Sequence, residues 1–173
     1  MSGAKSGELG VNFSFRWIPE KPDNGRIYLS LAFRVLPDLQ LGGDYRPLSG
    51  NAGVLGTWRA ISETDVRPAL ILGTSNDDFK EINSQSAFAT FSKAYGDPDS
   101  LVASPYGGAV YIFELEEWRP VGGLHLRYRD VSSLLQYSGA DTHLTLSYTR
   151  TIHTLSLVLF GLELPGLAYS LSL

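Results

Sequence analysis

The chain has 173 residues, which is enough for one domain with a buried core or for one closed barrel. Its 14 Lys and Arg residues against 18 Asp and Glu residues give a formal net charge of −4. That balance excludes a generic nucleic-acid-binding protein, which needs a cationic face. The absence of cysteine excludes thiol catalysis, cysteine-based zinc sites and disulfide scaffolds.

The apolar runs of the chain predict neither a membrane helix nor an export signal. The sequence has no run of about 18 apolar residues, so we expect no transmembrane helix. Residues 1–7 hold no apolar stretch typical of a signal peptide, and we expect them to form a flexible N-terminus. The numbering is therefore expected to begin at the mature chain, or the protein does not use that export route.

Apolar and polar residues alternate along most of the chain, which is the pattern of β-strands with two unlike faces. In residues 8–18 every odd-numbered position from 9 to 17 is apolar, and residues 26–35 repeat the pattern. The weakest alternation falls at 85–95, because Phe88 and Phe91 lie on opposite faces. The same rule predicts about twelve strands, at 8–18, 26–35, 39–47, 51–61, 66–75, 85–95, 103–113, 120–129, 132–138, 142–149, 152–160 and 166–173.

The connections between the predicted strands are short and polar, as in residues 19–25, 62–65 and 96–100. Short polar connections favour hairpins, so the sheet is predicted to be an antiparallel meander. Residues 76–84 are predicted to be a longer polar connection of the same kind. The predicted fold class is all-β, a closed antiparallel up-and-down β-barrel of about 12 strands, with residues 8–173 as a single barrel domain.

An alternating all-β chain forms either a soluble barrel with its apolar face inside or a transmembrane barrel with its apolar face outside. The polar face here carries Gly, Ala, Ser, Thr, Asn and Arg, and the acidic residues other than Glu8 and Asp44 avoid the strands. Aromatic residues on the apolar face near strand ends match the belts at membrane interfaces. These features favour the transmembrane barrel. The predicted interface residues are Trp17, Tyr45, Trp58, Tyr128, Tyr148 and Tyr169.

Over residues 8–173 the chain resembles the outer-membrane β-barrel proteins, whose transmembrane strands have this length and alternation. The last segment, Gly-Leu-Ala-Tyr-Ser-Leu-Ser-Leu at 166–173, keeps the alternation that those proteins have in their final strand. The resemblance implies a transmembrane barrel in an outer membrane, with the lipid bilayer as its partner.

If the apolar face meets lipid, the other face lines the lumen, and it is rich in arginine. A ring of arginine in a low-dielectric tube attracts anions and repels cations. The sequence therefore predicts a passive pore for small anions or acidic solutes. The same face carries glycines that make room inside, at positions 10, 42, 53, 73 and 107. The predicted pore-lining residues are Arg16, Arg34, Asp44, Arg46, Arg59, Arg67, His125, Arg127 and Arg129.

Two alternatives stay open at this point. In the first, the arginines form a polar network with Asp44, Tyr28, Tyr111 and Gln136 that fills the barrel. The protein is then a structural or assembly barrel with a blocked lumen, as a homo-oligomer or as part of a larger assembly. In the second, a soluble barrel of the lipocalin type binds a ligand inside. Twelve strands lie between the filled barrels of about eight strands and the open barrels of about 16 to 18, so strand number does not decide.

The sequence shows no pattern of catalytic, metal-binding or cofactor-binding residues. His125, His143 and His153 lack metal-ligand spacing, and neither Gly-x-Ser-x-Gly nor a glycine-rich phosphate loop occurs. The stretch from Asn76 to Asp78 lacks the regular spacing of a calcium loop and is predicted to be an exposed acidic turn. We therefore expect no enzyme activity, no cofactor, no metal and no nucleic-acid partner.

Overall fold

The computed structural model describes residues 10–79, 82–97 and 99–173, and most of these residues form β-strands. The predicted flexible residues 1–7 and the predicted beginning of the first strand lie outside the described residues. One short helix, α1 (Asp23–Arg26), interrupts the strands, and no described helix is long and apolar enough to cross a membrane. The strands are β1 (Val11–Trp17), β2 (Ile27–Leu36), β3 (Leu39–Arg46), β4 (Asn51–Ile61), β5 (Ala69–Phe79), β6 (Ile82–Ser92), β7 (Tyr95–Gly96), β8 (Leu101–Ile112), β9 (Glu117–Tyr128), β10 (Val131–Tyr137), β11 (Thr142–Arg150), β12 (His153–Phe160) and β13 (Leu164–Ser172).

The long strands close into a ring of antiparallel neighbours. Each long strand pairs with the next long strand along the chain, so that β6 pairs with β8, and β1 closes the ring with β13. The two-residue strand β7 pairs with the beginning of β8. The predicted all-β, closed, antiparallel, up-and-down barrel of about 12 strands is therefore confirmed.

The two rims of the barrel have different connections. One rim, which we call the turn rim, has two-residue turns at 129–130 and 151–152. Arg129 and Thr151 in these turns have φ values of 53° and 56°, the left-handed conformation that such hairpins favour. The described connections at the turn rim are 37–38, 62–68, 93–97 with 99–100, 129–130 and 151–152. The opposite rim, which we call the helix rim, contains α1. Its described connections are 18–26, 47–50, 113–116, 138–141 and 161–163.

The strands place their apolar side chains on the outside of the barrel. Leu157 in the middle of β12 is 59% exposed, whereas its neighbour Ser156 faces inward and shares a hydrogen bond with Ser147 across β11. This orientation is the opposite of the lipocalin-type alternative, which has its apolar face inside. The exposed apolar and aromatic residues of the barrel wall include Phe13, Leu31, Phe33, Val35, Leu41, Val54, Phe91, Leu124, Leu135, Leu146, Leu155, Leu159 and Leu167.

A small apolar core lies inside the barrel near the helix rim. Val110 and Ile112 of β8 point inward and are buried, and Phe88 of β6 packs against them. Because these large side chains take the inward positions of β8, the prediction that Tyr111 and Gly107 face the lumen is wrong. The other residues packed against this core are Leu115, Val121 and Ala140.

The β5–β6 hairpin is longer than the sequence predicts. The polar connection predicted at 76–84 is wrong, because β5 continues to Phe79 and β6 begins at Ile82. β4 pairs with β5 from the turn rim only as far as Gly56 and Thr74, whereas the β5–β6 ladder continues towards the helix rim. The distal part of the hairpin therefore leaves the barrel wall.

The beginning of β5 also differs from the prediction. The strand begins at Ala69 rather than at position 66, because Pro68 has no backbone N–H to donate to a ladder. Arg67 consequently lies in the 62–68 connection. Its backbone N–H donates to Thr64 Oγ1 at 3.2 Å, and its guanidinium donates to the Ser62 carbonyl oxygen at 3.4 Å. These bonds hold Arg67 within the connection, outside the barrel wall.

Candidate functional site

The lumen contains most of the residues that the sequence assigns to it. Arg67 lies in the 62–68 connection, and Arg129 lies in the β9–β10 turn with its guanidinium over the ring of Tyr128. The remaining predicted residues fall into one group near the helix rim and one near the turn rim. The first group is Arg16, Asp44 and Arg46, and the second is Arg34, Arg59, His125 and Arg127.

Near the helix rim, four residues form what we call the Arg46 cluster: Arg46, Asp44, Asn76 and Tyr28. Arg46 is 1% exposed, and its Nη2 donates a hydrogen bond of 2.7 Å to the carbonyl oxygen of Asn76. Its Nη1 lies 4.0 Å from Asp44 Oδ1, which also accepts a bond of 3.1 Å from Asn76 Nδ2. The Arg46 guanidinium lies over the Tyr28 ring, 5.3 Å from the centroid. The buried charges of Arg46 and Asp44 thus neutralise each other.

The β5–β6 hairpin reaches the Arg46 cluster because its distal part turns into the lumen. Asn76 lies against the inward face of Gly53, where an added Cβ atom would be 2.2 Å from the Asn76 Cβ atom. Gln85 of β6 binds the β4 backbone at Val54. Its Oε1 accepts from the Val54 N–H at 3.1 Å, and its Nε2 donates to the Val54 carbonyl at 2.8 Å. The Gln85 amide thereby pairs backbone groups that a neighbouring strand would otherwise pair.

Near the helix rim, side chains also fill the lumen beside β6 and β8. Ser84 and Ser86 of β6 are fully buried. Ser84 Oγ donates to a carboxylate oxygen of Glu114 in the 113–116 connection, and the Ser75 and Ser86 hydroxyls lie 3.1 Å apart. Together with the apolar core on β8, these contacts occupy the inner surface beside the hairpin.

The 18–26 connection covers another region of the helix rim, beside β12. Ile18 and Lys21 are buried, and Lys21 Nζ lies 3.4 Å from the centroid of the inward-facing Phe160 ring. The His143 ring stacks on the Phe160 ring, with 4.1 Å between ring centroids. Arg26 Nε of α1 donates to the Lys21 carbonyl at 3.2 Å, which ties the connection together. The inward apolar end of β12 therefore packs against this connection.

The turn rim differs, because a cavity of about 470 Å³ opens there. Its wall includes the inward-facing side chains of Arg34 on β2, Gln40 on β3 and Thr57 on β4. At its mouth, Arg59 Nε donates to Asp38 Oδ1 at 2.7 Å, and Arg59 Nη2 lies 2.5 Å from the same oxygen. The lumen is thus occupied by side chains near the helix rim and contains a cavity near the turn rim.

The predicted interface aromatics lie on the outer face near the two rims. Trp17 and Tyr45 are near the helix rim, and Trp58 and Tyr128 are near the turn rim, all two-fifths to one-half exposed. Tyr148 is equally exposed, near the turn rim. Tyr169 is less exposed, and its hydroxyl lies 2.7 Å from Nδ1 of His153.

Sequence reasoning missed a second aromatic group on the outer face of the helix rim. The Tyr111 ring lies 5.4 Å from the Phe113 ring and 5.2 Å from the Trp118 ring. The sequence contains a signal for this group. The polar 113–116 connection marks two strand ends, and aromatic residues lie on both sides of it. The mixed alternation of β8 concealed which of its faces is outward.

Among residues 10–79, 82–97 and 99–173, no group of three or more His, Asp or Glu side chains is placed to hold a metal ion. The histidines lie on separate strands: His125 on β9, His143 on β11 and His153 on β12. The side chains of Asp77 and Asp78, in the predicted acidic turn, lie outside the described part of the structure. Comparison with known protein families, with curated proteins and with solved structures finds no match for the chain.

Proposed function

We propose that this chain is a transmembrane β-barrel of the outer-membrane kind. The observation that carries the proposal is the composition of the outward face. Between the rims, the described outward side chains are apolar, aromatic, small or uncharged. The described basic ones on the outward face, Arg150 and His153, lie at the turn rim. A charged side chain on the lipid face of such a barrel costs about 2–4 kcal/mol at the bilayer midplane, so a barrel wall of this composition suits hydrocarbon.

Two further features support a membrane location. The closed ring of strands pairs most backbone groups of the wall, and Gln85 binds those of Val54 where β5 leaves the wall. The hydrocarbon interior requires such pairing because it holds no water to bind these groups. Aromatic residues near both rims suit the two membrane–water interfaces. The lipid bilayer is then the partner of the apolar outer face, and an outer membrane is the membrane in which single-chain barrels of this type occur.

The contents of the lumen favour a structural or assembly barrel over an open pore. Arg46 is 1% exposed, donates to the Asn76 carbonyl oxygen and lies 4.0 Å from Asp44 Oδ1, so its charge does not face a water-filled passage. Lys21 is buried against Phe160 on another part of the helix rim. In the proposed function, the lumen is therefore closed to ions at the helix rim in this conformation.

An anion-favouring pore is the second candidate function. It is favoured by the cavity at the turn rim, where the guanidinium of Arg34 lines the wall, and by the exposed side chain of Arg127 at the same rim. Cationic side chains at an entrance raise the local concentration of anions. Conduction through the barrel would also require the β5–β6 hairpin to leave the lumen.

Conductance in planar bilayers tests the closed lumen. We expect wild-type protein to show rare or no channel openings. In Gly53→Val the new side chain overlaps Asn76, so we expect it to displace the hairpin and raise the current several-fold. The matched control is Gly107→Val on the outward face of β8, where an added Cβ meets nothing closer than 4.0 Å.

Gly107→Val is expected to behave like the wild type. Both variants are first checked for compact folding by gel migration of unheated samples. Wild-type currents as large and as frequent as those of Gly53→Val would contradict the closed lumen and would favour the passive pore.

A further inference from the structure

The cavity at the turn rim contains an arginine, Arg34, that has no ion-pair partner among the described residues. The guanidinium of Arg34 makes no hydrogen bond or ion pair with any described residue. Arg46 and Arg59, in contrast, each lie beside an aspartate. Arg34 is half-buried on the inner face of β2, where its charge is partly removed from water. A half-buried cation of this kind is a binding group for an anion.

Arg34 belongs to a polar row on the cavity wall. It lies directly opposite Gln40 in the β2–β3 register, and Gln40 lies directly opposite Thr57 in the β3–β4 register. Side chains opposite each other on one face of a sheet are about 5 Å apart at Cβ, so the three are neighbours. A guanidinium can donate two parallel hydrogen bonds to one carboxylate, and an amide and a hydroxyl can donate further bonds beside it.

The side chains that line the cavity carry one positive charge that has no ion-pair partner among the described residues. Arg59 at the mouth is paired with Asp38, with 2.7 Å between Nε and Oδ1. The uncompensated side-chain charge is therefore that of Arg34 alone among the described lining residues. A monovalent carboxylate matches one guanidinium better than a multiply charged phosphate does, because the second cation of the cavity, Arg59, is already paired with Asp38.

The rest of the cavity suits an apolar group. Ile71 of β5, Leu39 of β3 and Ile152 of the β11–β12 turn line it. The volume of about 470 Å³ lies within the range of about 300–1,000 Å³ typical of small-molecule sites. Such sites combine apolar walls with a few placed polar groups that orient the ligand.

We propose that the cavity at the turn rim binds a small organic carboxylate that carries an apolar group. Arg34 anchors the carboxylate, Gln40 and Thr57 donate to its oxygens, and the apolar group packs against Ile71 and Ile152. The inference rests on the proposed function in one respect: with the helix rim closed, the cavity is a blind pocket rather than the entrance of a channel.

Ligand-observed NMR titration of the lipid-reconstituted full chain tests the site with 4-methylbenzoate and with its neutral analogue 4-methylbenzamide. We expect the wild type to bind the benzoate at least about tenfold more tightly than the benzamide, because charge-assisted hydrogen bonds are the stronger kind. Arg34→Gln is expected to weaken benzoate binding by about tenfold or more and to remove the preference. The control Arg150→Gln removes a cation from the outer face of the same rim and is expected to leave both affinities unchanged.

Equal affinity of the wild type for the two probes would overturn the proposal and needs no variant. Benzoate binding that survives Arg34→Gln, or that is lost equally in Arg150→Gln, would also overturn it, since the second result reports the overall charge of the rim rather than a site. Gel migration of the same samples reports whether the barrel is folded. Bilayer conductance separately reports whether the lumen is closed, so a failure of the carboxylate site is distinguishable from a failure of the proposed function.

Discussion

Replacing Leu157 with arginine is expected to lower the free energy of unfolding in lipid by about 2–4 kcal/mol, because an arginine at the bilayer midplane loses its hydration. Leu157 lies midway along β12, is 59% exposed, and has the apolar Leu146 and Leu167 opposite it in the register. Urea unfolding of the barrel in phospholipid vesicles measures the difference from the wild type.

The control for this substitution is Val66→Arg. Val66 is 92% exposed in the 62–68 connection, outside the barrel wall. Its replacement is expected to change the free energy of unfolding by no more than about 0.5 kcal/mol. Both variants add the same charge, so a difference between them reports the effect of where the charge lies. A Leu157→Arg barrel as stable as the Val66→Arg barrel would mean that the outer face meets water, which contradicts the proposed membrane location.

Arg46→Ala is expected to lower the free energy of unfolding by about 3–5 kcal/mol, because it leaves the buried Asp44 carboxylate without its cationic partner. The substitution also removes the 2.7 Å hydrogen bond to the Asn76 carbonyl, which helps to hold the β5–β6 hairpin in the lumen. The same urea titration measures this loss. Combining Arg46→Met with Asp44→Leu removes both charges and is expected to recover most of the stability.

Arg59→Ala is the matched control for Arg46→Ala. The Arg59–Asp38 pair is close, but its side chains are 40% and 44% exposed, so water screens the pair. Its loss is expected to cost about 0–1 kcal/mol. If Arg46→Ala costs no more than Arg59→Ala, then Arg46 is hydrated in solution and the helix rim is open.

The barrel wall could be predicted from the sequence because the alternation that reveals a strand lies within that strand. A strand has a side-chain period of two, so alternation in β1, β2 or β12 reveals both the element and its faces. Where the alternation is mixed, the prediction fails. In β8 the inward Val110 and Ile112 are as apolar as the outward Tyr111, so the period cannot distinguish the faces.

The inward β5–β6 hairpin could not be predicted, because its stability comes from contacts between distant parts of the chain. Residues 76–84 are polar and look like a solvated turn. In the fold, Asn76 packs on Gly53, and Gln85 binds the backbone of Val54, which lies on another strand. The sequence predicts that Gly53 makes room in the lumen, but it does not say that Asn76 occupies that room.

Alternation places Arg34 and Arg46 on the inward face, but it does not reveal their partners. Arg34 and Arg46 have the same residue type and the same inward orientation in the sequence pattern. The structure separates them, because Arg46 lies beside Asp44 on its own strand and beside the hairpin, whereas Arg34 lines the cavity. Whether an inward arginine is neutralised therefore depends on tertiary contacts that alternation does not contain.

The measurement that tests the membrane barrel most directly is folding of the wild-type chain in detergent micelles against plain buffer. The difference in gel migration between unheated and boiled samples detects the compact barrel, and light scattering detects aggregation. We expect a compact, heat-modifiable species in micelles and aggregation in buffer, because the outer face is apolar between the rims. A folded, monodisperse protein in plain buffer would contradict the account, since it would show that water covers the face proposed to meet lipid.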